Sequence, residues 1–440
     1  MSGLAGVLTR TFFRQVEVEH GERLDSVRPT VVVADHRNGL VDGLLLMAAL
    51  PRYPRFLGKS TLFRNPLLWP FLQVGGVVPI YRAQDGGSPE GNRRAFARCH
   101  RLLAGGGMVA IFPEGISHDL PALQPLRTGA ARIALEAAGD GVVDVDTVTV
   151  TLVYDDKQRF RSRALVRVGV PVPVQPWLEA YRHDAARAVR ALTADLTERL
   201  RRDGTEYDSW ADAAELAGMA EVMVRPTTVL PGEVTLEDRR LVAEALTEAG
   251  LSREGSDALA RARAAMTAYQ RRLDLLGLTD AQVAAEYGSG RLRWDLARAL
   301  VKVVVALPFA AAGVAIHAVP YGIVDLASRV PDNVGMRATV KVLGSFLLYA
   351  PLYLAIGVVV GSRFGAGWGL LAAAGAPTCG GLAVRVAERI RRVGGAVAGY
   401  RAVRAGGPTL AALRSERVAV AEAGRSVVTG TAPPRSLTNR

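Results

Sequence analysis

The hydrophobic pattern changes twice along the chain. Up to about residue 175, short β-branched runs recur between helix-like stretches: TVVVADH, GGVVPIY, GMVAIFP, DTVTVTLVY and RALVRVGVPV. That alternation predicts an α/β domain with a largely buried sheet. NRRAFARCHRLLAGGG shows the helical half. Phe96, Cys99 and Leu103 recur at helical spacing, Arg94, Arg98 and Arg101 lie between them, and three glycines from Gly105 stop the helix before the next strand. From 178 to 298 the β signal fades. WLEAYRHDAARAVRALTADLTERLRR and GSDALARARAAMTAYQRRLDLLG are amphipathic and charged, as solvated helices packed on one face are.

From 299 to 385 the pattern changes again. ALVKVVVALPFAAAGVAIHAVPYGIVDLA is nearly free of charge, and VLGSFLLYAPLYLAIGVVVG (342–361) and GWGLLAAAGAPTCGGLAV (367–384) carry none. Each approaches the roughly 20 residues of a membrane-spanning helix. Arg385, Arg389, Arg391 and Arg392 follow the last run, and Arg293 and Arg298 precede the first. Basic flanks favour the cytoplasm, so both ends on one side require an even number of crossings. Pro308, Gly313 and Pro320 interrupt the first run. The expectation is that 301–323 dips in or lies at the interface, while 342–361 and 367–384 form a spanning hairpin. The last 25 residues, polar in character, are expected to be disordered. The division expected is 1–177, an α/β domain; 178–298, an all-α accessory region; 299–385, membrane-embedded helices; and 386–440, a basic and partly disordered tail.

Composition adds an anionic partner to this picture. The net charge is +12, nearly all of it arginine, since lysine occurs only at 59, 157, 302 and 341. Together with abundant Ala, Gly and Val this resembles a GC-rich bacterial coding sequence. The charge suits a nucleic acid, an anionic membrane or a phosphorylated substrate. No nucleic-acid motif is present, and arginines beside apolar spans account for the charge better. Cys99 and Cys379 lie far apart in unlike contexts, which argues against a disulfide framework or a cysteine-based zinc site. The six histidines show no metal-ligand spacing. MSGLAGVLTRTFFRQ lacks the apolar core of a signal peptide, so the α/β domain is expected on the cytoplasmic side of the cell membrane. Leu4, Val7, Leu8 and Phe12 lie at helical spacing with Arg10 and Arg14 beside them, which suits an interfacial helix and equally a core-packing one.

Three stretches carry candidate chemistry. In VVVADHRNGLVDGLLL a strand ends before His36, and Asp42 falls in the first turn of the next helix. Six helical steps turn about 240°, so the two side chains meet only if the turn at 37–39 folds back. Asp42 would then accept from one ring nitrogen and leave the other as a base. The alternative is a surface histidine with an aspartate favoured by the helix dipole. In IFPEGISHDLPALQPLRTGAARIAL a strand ends in Pro113-Glu114-Gly115. Ser117, His118 and Arg127 follow, the last near a helix start suited to anions. In GGVVPIYR a strand leads to Arg82, a possible phosphate clamp.

In this order and spacing the stretches resemble the glycerolipid acyltransferase family, which includes bacterial 1-acylglycerol-3-phosphate and glycerol-3-phosphate acyltransferases. HRNGLVD is similar to its first motif, in the form His-Pro-Asn-x-Leu-x-Asp. GVVPIYR matches the second, which ends in a phosphate-binding Arg. FPEGISHD matches the third through Phe112, Pro113, Glu114 and Gly115, and TVTLVYDDKQRFRSRALVRVGVPV resembles the fourth block. The resemblance covers about residues 5–175, and some members of the subgroup carry C-terminal membrane segments. It implies an acyltransferase sheet flanked by helices. The implied activity is transfer of an acyl group from acyl-CoA or acyl carrier protein to a phosphorylated glycerol acceptor. His36 would be the base and Asp42 its partner. Arg82, with Arg127 or His118, would hold phosphate. Glu114, Gly115 and Ser117 would line the acceptor site. No metal or cofactor beyond the thioester co-substrate is implied. Membrane lipid is an implied partner. Three departures stand out: Asp35 replaces the usual Asn, Ser117 falls where the third motif has Arg, and Thr149 falls where the fourth has Pro. They keep a catalytically inactive lipid-binding homologue in view.

Overall fold

The structure, a computed structural model, describes residues 2–24, 27–66, 68–82, 87–157, 159–227, 233–285, 289–331, 334–405 and 407–429. It divides into two compact units, Met1–Asp208 with Ser328–Val342, and Ser209–Ala327 with Leu343–Arg440.

The first unit is built on β1 (Phe13–Glu19), β2 (Thr30–Ala34), β3 (Arg55–Lys59), β4 (Val78–Ile80), β5 (Met108–Ile111), β6 (Asp146–Tyr154), β7 (Ser162–Val168) and β8 (Val172–Pro173). Its helices are α1 (Ser2–Phe12), α2 (Leu40–Ala49), α3 (Trp69–Val74), α4 (Pro89–Ala104), α5 (Gly129–Gly139), α6 (Leu178–His183) and α7 (Ala185–Asp203). The strand order is β1-β7-β6-β2-β5-β3-β4, with β8 beside β6. β2 pairs in parallel with both β5 and β6, β5 with β3 and β3 with β4, while β7 runs antiparallel to β6. Every residue of β2 is buried, as a continuous valine run requires in a sheet covered on both faces. Val31 and Val33 face a core with Cys99 and Leu103 of α4, Ile133 of α5 and Leu192, Leu196 and Leu200 of α7. Val32 and Ala34 face the opposite core, with Phe12, Phe13, Leu45, Leu46, Ala338 and Val342.

This unit is longer than the 177 residues expected from the loss of β signal, because α7 packs on the sheet. Its leucines recur at 192, 196 and 200, and burying each is worth roughly 1.5–3 kcal/mol. That outweighs the cost of the charged residues of the helix, most of which face water. The N-terminal segment also resolves: the helix stops at Phe12 and the chain continues as edge strand β1. Ala5, Thr9 and Phe12 are the buried face of α1, and Thr9 Oγ1 donates to the Leu44 carbonyl of α2 at 3.3 Å.

The second unit is helical: α8 (Trp210–Val224), α9 (Leu236–Ala249), α10 (Arg253–Leu276), α11 (Asp280–Ala284), α12 (Ser289–Ser328), α13 (Val334–Phe364, in this unit from Leu343), α14 (Ala366–Ala405) and α15 (Gly407–Thr429). Ser209, Thr235 and Ser252 cap α8, α9 and α10, each hydroxyl accepting an N–H three residues on. α15 corrects the expected disorder over 416–429. Leu410, Leu413, Val420 and Val427 form one buried stripe, which its polar composition concealed. Residues 430–440, the rest of that expected tail, lie outside the described residues.

Among the described residues, three helices are long and apolar enough to cross a membrane: Leu296–Ser328, Met336–Phe364 and Ala366–Arg401. Their apolar windows are only 11%, 6% and 11% buried, an exposure that suits lipid and not water. The break expected at Pro308 and Pro320 is absent: α12 is continuous through both. Prolines are tolerated in such helices because neighbouring groups take up the freed carbonyls. A polar tie joins two of them, His317 Nε2 to the Tyr353 hydroxyl at 2.8 Å.

Candidate active site

β2 lies between β5 and β6 and parallel to both, so the carboxyl ends of three adjacent strands open at one place, where ligands of open α/β sheets collect. His36 follows β2, Glu114 follows β5 and Tyr154 ends β6. The turn at 37–39 folds back as required. Gly39 stands just before α2 at φ 57°, ψ −131°, a backbone region open to glycine. His36 Nδ1 and Asp42 Oδ2 are 2.9 Å apart.

Asp42 is fully buried and accepts two further hydrogen bonds. The Asn38 N–H reaches Oδ2 at 2.7 Å, and the Tyr154 hydroxyl donates to Oδ1. Burial, reinforced by the Asp42 charge, holds the Tyr154 hydroxyl well above its ordinary pKa, so it stays a donor. With Asp42 accepting only, Nδ1 carries the proton toward it and Nε2 presents a lone pair. No described residue bonds to Nε2, and the His36 side chain is 19% exposed. Phe112 stacks on the imidazole, centroids 4.2 Å apart and planes 14° apart, which fixes the ring plane.

Glu114 is also buried. Its Oε1 accepts the His36 backbone N–H at 2.8 Å, and its Oε2 accepts from Gln124 N at 2.9 Å and bonds to His118 Nε2. His118 Nδ1 accepts from Leu120 N at 3.2 Å. Both its ring nitrogens are therefore engaged inside the loop, and Nε2 is the one that donates. Ser117 Oγ accepts from Gly39 N at 3.0 Å, at the start of α2. Ser117, expected to line the acceptor site, and His118, expected near phosphate, both make hydrogen bonds around the His36 turn.

The arginines are placed differently. Arg82 Nη1 donates to the Gly115 carbonyl. Arg127 lies over the same glycine: a Cβ there would come 2.7 Å from its Nε. Gly115 has φ +70°, and the two guanidinium groups come to one backbone position in the loop that carries Glu114. Two positive charges are thereby gathered at that loop.

The departures from the family pattern also find a place. Asp35 accepts from Leu152 N at 2.8 Å and pairs with Arg37 Nε at 2.9 Å. Burial raises its carboxyl from 3.8 to about 6, against the pull of Arg37. Thr149 donates to Asp203 at 2.6 Å, tying β6 to the end of α7. Sequence reasoning gave no role to Asn38, Phe112 or Tyr154. Tyr154 was within reach, as the last residue of a strand beside β2. The Asn38 contact is made by the backbone, which no side-chain pattern reveals.

Residues 15–154 match the family model described as Acyltransferase. The chain is 33% identical over 183 residues to glycerol-3-phosphate O-acyltransferase 2 of Saccharomyces cerevisiae, covering 40% of this chain and 24% of that protein. It is 29% identical over 155 residues to 1-acyl-sn-glycerol-3-phosphate acyltransferase beta of Homo sapiens, covering 35% of this chain and 54% of that protein. The chain thus spans about a quarter and about half of these two relatives. The crystal structure of the 1-acyl-sn-glycerophosphate (LPA) acyltransferase PlsC from Thermotoga maritima is similar at a TM-score of 0.34 and 16% identity, over 47% of this chain and 81% of that one. The matched segment contains the His36–Asp42 pair, Arg82 and the Glu114 loop, and over these residues the chain is similar to glycerolipid acyltransferases.

Proposed function

We propose that the chain is a membrane-bound O-acyltransferase. It transfers a fatty acyl group from a thioester, acyl-CoA or acyl carrier protein, to a hydroxyl of a glycerol-phosphate acceptor. The preferred acceptor is 1-acylglycerol-3-phosphate, which gives phosphatidic acid for phospholipid synthesis. The observation that carries this reading is the His36–Asp42 hydrogen bond with Nε2 left open at the carboxyl edge of a parallel sheet. Nε2 takes the proton of the acceptor hydroxyl as its oxygen attacks the thioester carbonyl, a role worth roughly 10²–10⁴ in rate. Asp42 stabilises the imidazolium. When the tetrahedral intermediate collapses, the C–S bond breaks and the same proton passes to the leaving thiolate. Arg82 and Arg127 hold the acceptor phosphate and so select the hydroxyl that faces His36. Glu114 acts on the backbone of His36 and positions it.

A second acceptor, glycerol 3-phosphate, is favoured by the names of two yeast relatives that are 33% and 37% identical over their matched segments. Purified protein with labelled acyl-CoA and a panel of both acceptors decides between them. Arg82→Ala should raise KM for the acceptor more than for the donor. Turnover absent with every acceptor would leave an inactive lipid-binding homologue, and turnover unchanged in His36→Ala would overturn His36 as the base.

The reading places the catalytic unit on the cytoplasmic side. In the second unit Lys302 lies beside Arg385 and Arg389, so the basic flanks of the apolar stretches share a side. That favours a spanning α13–α14 hairpin with α12 along the interface. A single cysteine at Ser362, in a background without Cys99 and Cys379, should react with a membrane-impermeant thiol reagent in intact cells. One at Gly394 should react only after lysis; the reverse labelling would overturn this topology.

A further inference from the structure

An open cavity of about 490 Å³ lies between α12 and α14, within the range of ligand pockets. Lys302 of α12 and Arg385, Arg389 and Arg392 of α14 line it, together with Glu388. Four cations face one carboxylate, and among the described residues none of the four has an ion pair. Like charges gathered this way repel unless an anion joins them. Their position says which anion. Lys302 stands near the start of the apolar span of α12, which begins at Leu296, and Arg385 directly follows the apolar run 367–384 of α14. Both therefore sit where the apolar surface gives out, the level of lipid headgroups. The rest of the lining is apolar, and Val301 and Val305 are 61% and 67% exposed. A cationic end beside an exposed apolar wall matches an amphipathic ligand and not a free ion.

We propose that this cavity binds the phosphate headgroup of an anionic phospholipid, with its acyl chain along Val301 and Val305. The inference stands apart from the acyltransferase reading, since none of these residues belongs to the first unit. Native mass spectrometry of the full-length protein in detergent tests it, with phosphatidylglycerol, phosphatidylcholine and inorganic phosphate as separate probes. The wild-type protein should hold phosphatidylglycerol more tightly than phosphatidylcholine. The double variant Arg385→Gln, Arg389→Gln should weaken phosphatidylglycerol by about fivefold per cation removed. Arg391→Gln, on the same helix but outside the cavity, should leave it unchanged. Should the double variant fail to fold, Lys302→Gln alone must show the fivefold loss. Equal weakening by Arg391→Gln would mean diffuse attraction and overturn the site. Displacement of phosphatidylglycerol by equimolar inorganic phosphate would make it a free-phosphate site and overturn the lipid assignment.

Discussion

The molecule sets an aspartate against a tyrosine twice, once in each unit: Asp42 is fully buried and Asp280 partly so. In the first, Asp42 takes hydrogen bonds from Tyr154, the Asn38 backbone and His36. In the second, Asp280 takes them from Tyr269 at 3.0 Å, Arg417 Nε at 2.9 Å and Arg225 Nε at 2.8 Å. The donors differ in what they leave over. Arg417 turns Nη2 inward to the carbonyls of Val222 and Arg225, so the Asp280 cluster closes on itself and ties α8, α11 and α15. His36 keeps Nε2 unbonded and partly exposed. A buried carboxylate is by itself a sign of neither stability nor function. What separates the two is whether one polar atom at the end of the chain of bonds is held back for something outside.

The largest effects should fall on opposite properties in the two clusters. His36→Ala should cost roughly 10²–10⁴ in kcat and Asp42→Asn about 10⁴, since an amide cannot stabilise an imidazolium. The melting temperature of His36→Ala should stay near that of the wild type. Asp280→Ala should do the reverse: Arg225 keeps Glu221, but the buried Arg417 loses the carboxylate it pairs with, a loss of about 3–5 kcal/mol in stability, with turnover per folded molecule unchanged. A stable Asp280→Ala protein would break the comparison, and so would a wild-type rate from His36→Ala.

The comparison also shows how far the sequence could be read. The buried valine run of β2, the helix at 89–104 and the order of the three motifs were legible because side-chain pattern decides them. The His36–Asp42 contact was legible as a condition, that the turn must fold back, and Gly39 meets it. The roles of Ser117 and His118 were not legible, since which way a loop side chain turns depends on partners 78 residues away, such as Gly39 for Ser117. Nor was the packing of α7 on the sheet, since its amphipathic pattern reads equally as a helix of the all-α region. The Asp280 cluster was invisible too: its arginines read as solvated, and only the packing of α15 brings Arg417 to Asp280.

A pH effect of intermediate size separates Asp35 from both clusters. Its carboxyl rises from 3.8 to about 6 on folding, chiefly through burial. A raised acid binds more protons in the folded state between those values, so stability should fall as pH rises through that window. The loss amounts to about 3 kcal/mol above it. Asp35→Asn, which keeps the oxygen facing Leu152 N, should flatten that fall in urea titrations taken at successive pH values. An unchanged slope would mean that another group titrates there.

The smallest effect tests the open end most directly. Tyr154→Phe and Tyr269→Phe each remove one hydroxyl from a hydrogen-bonded carboxylate and change little else in shape. Each should lower stability by about 1.5–3 kcal/mol, the range for a hydrogen bond to a charged group. Only the first should alter the chemistry. With one donor fewer, Asp42 holds more negative charge for the Nδ1 proton and stabilises the imidazolium of His36 more strongly. The base then protonates more readily, and the acidic limb of the pH–rate profile should move to higher pH. Tyr269→Phe should leave that limb in place, because its carboxylate faces arginines that do not titrate in this range. A limb that moves equally in both variants, or in neither, would remove the distinction between a cluster that stores a proton site and one that holds helices together.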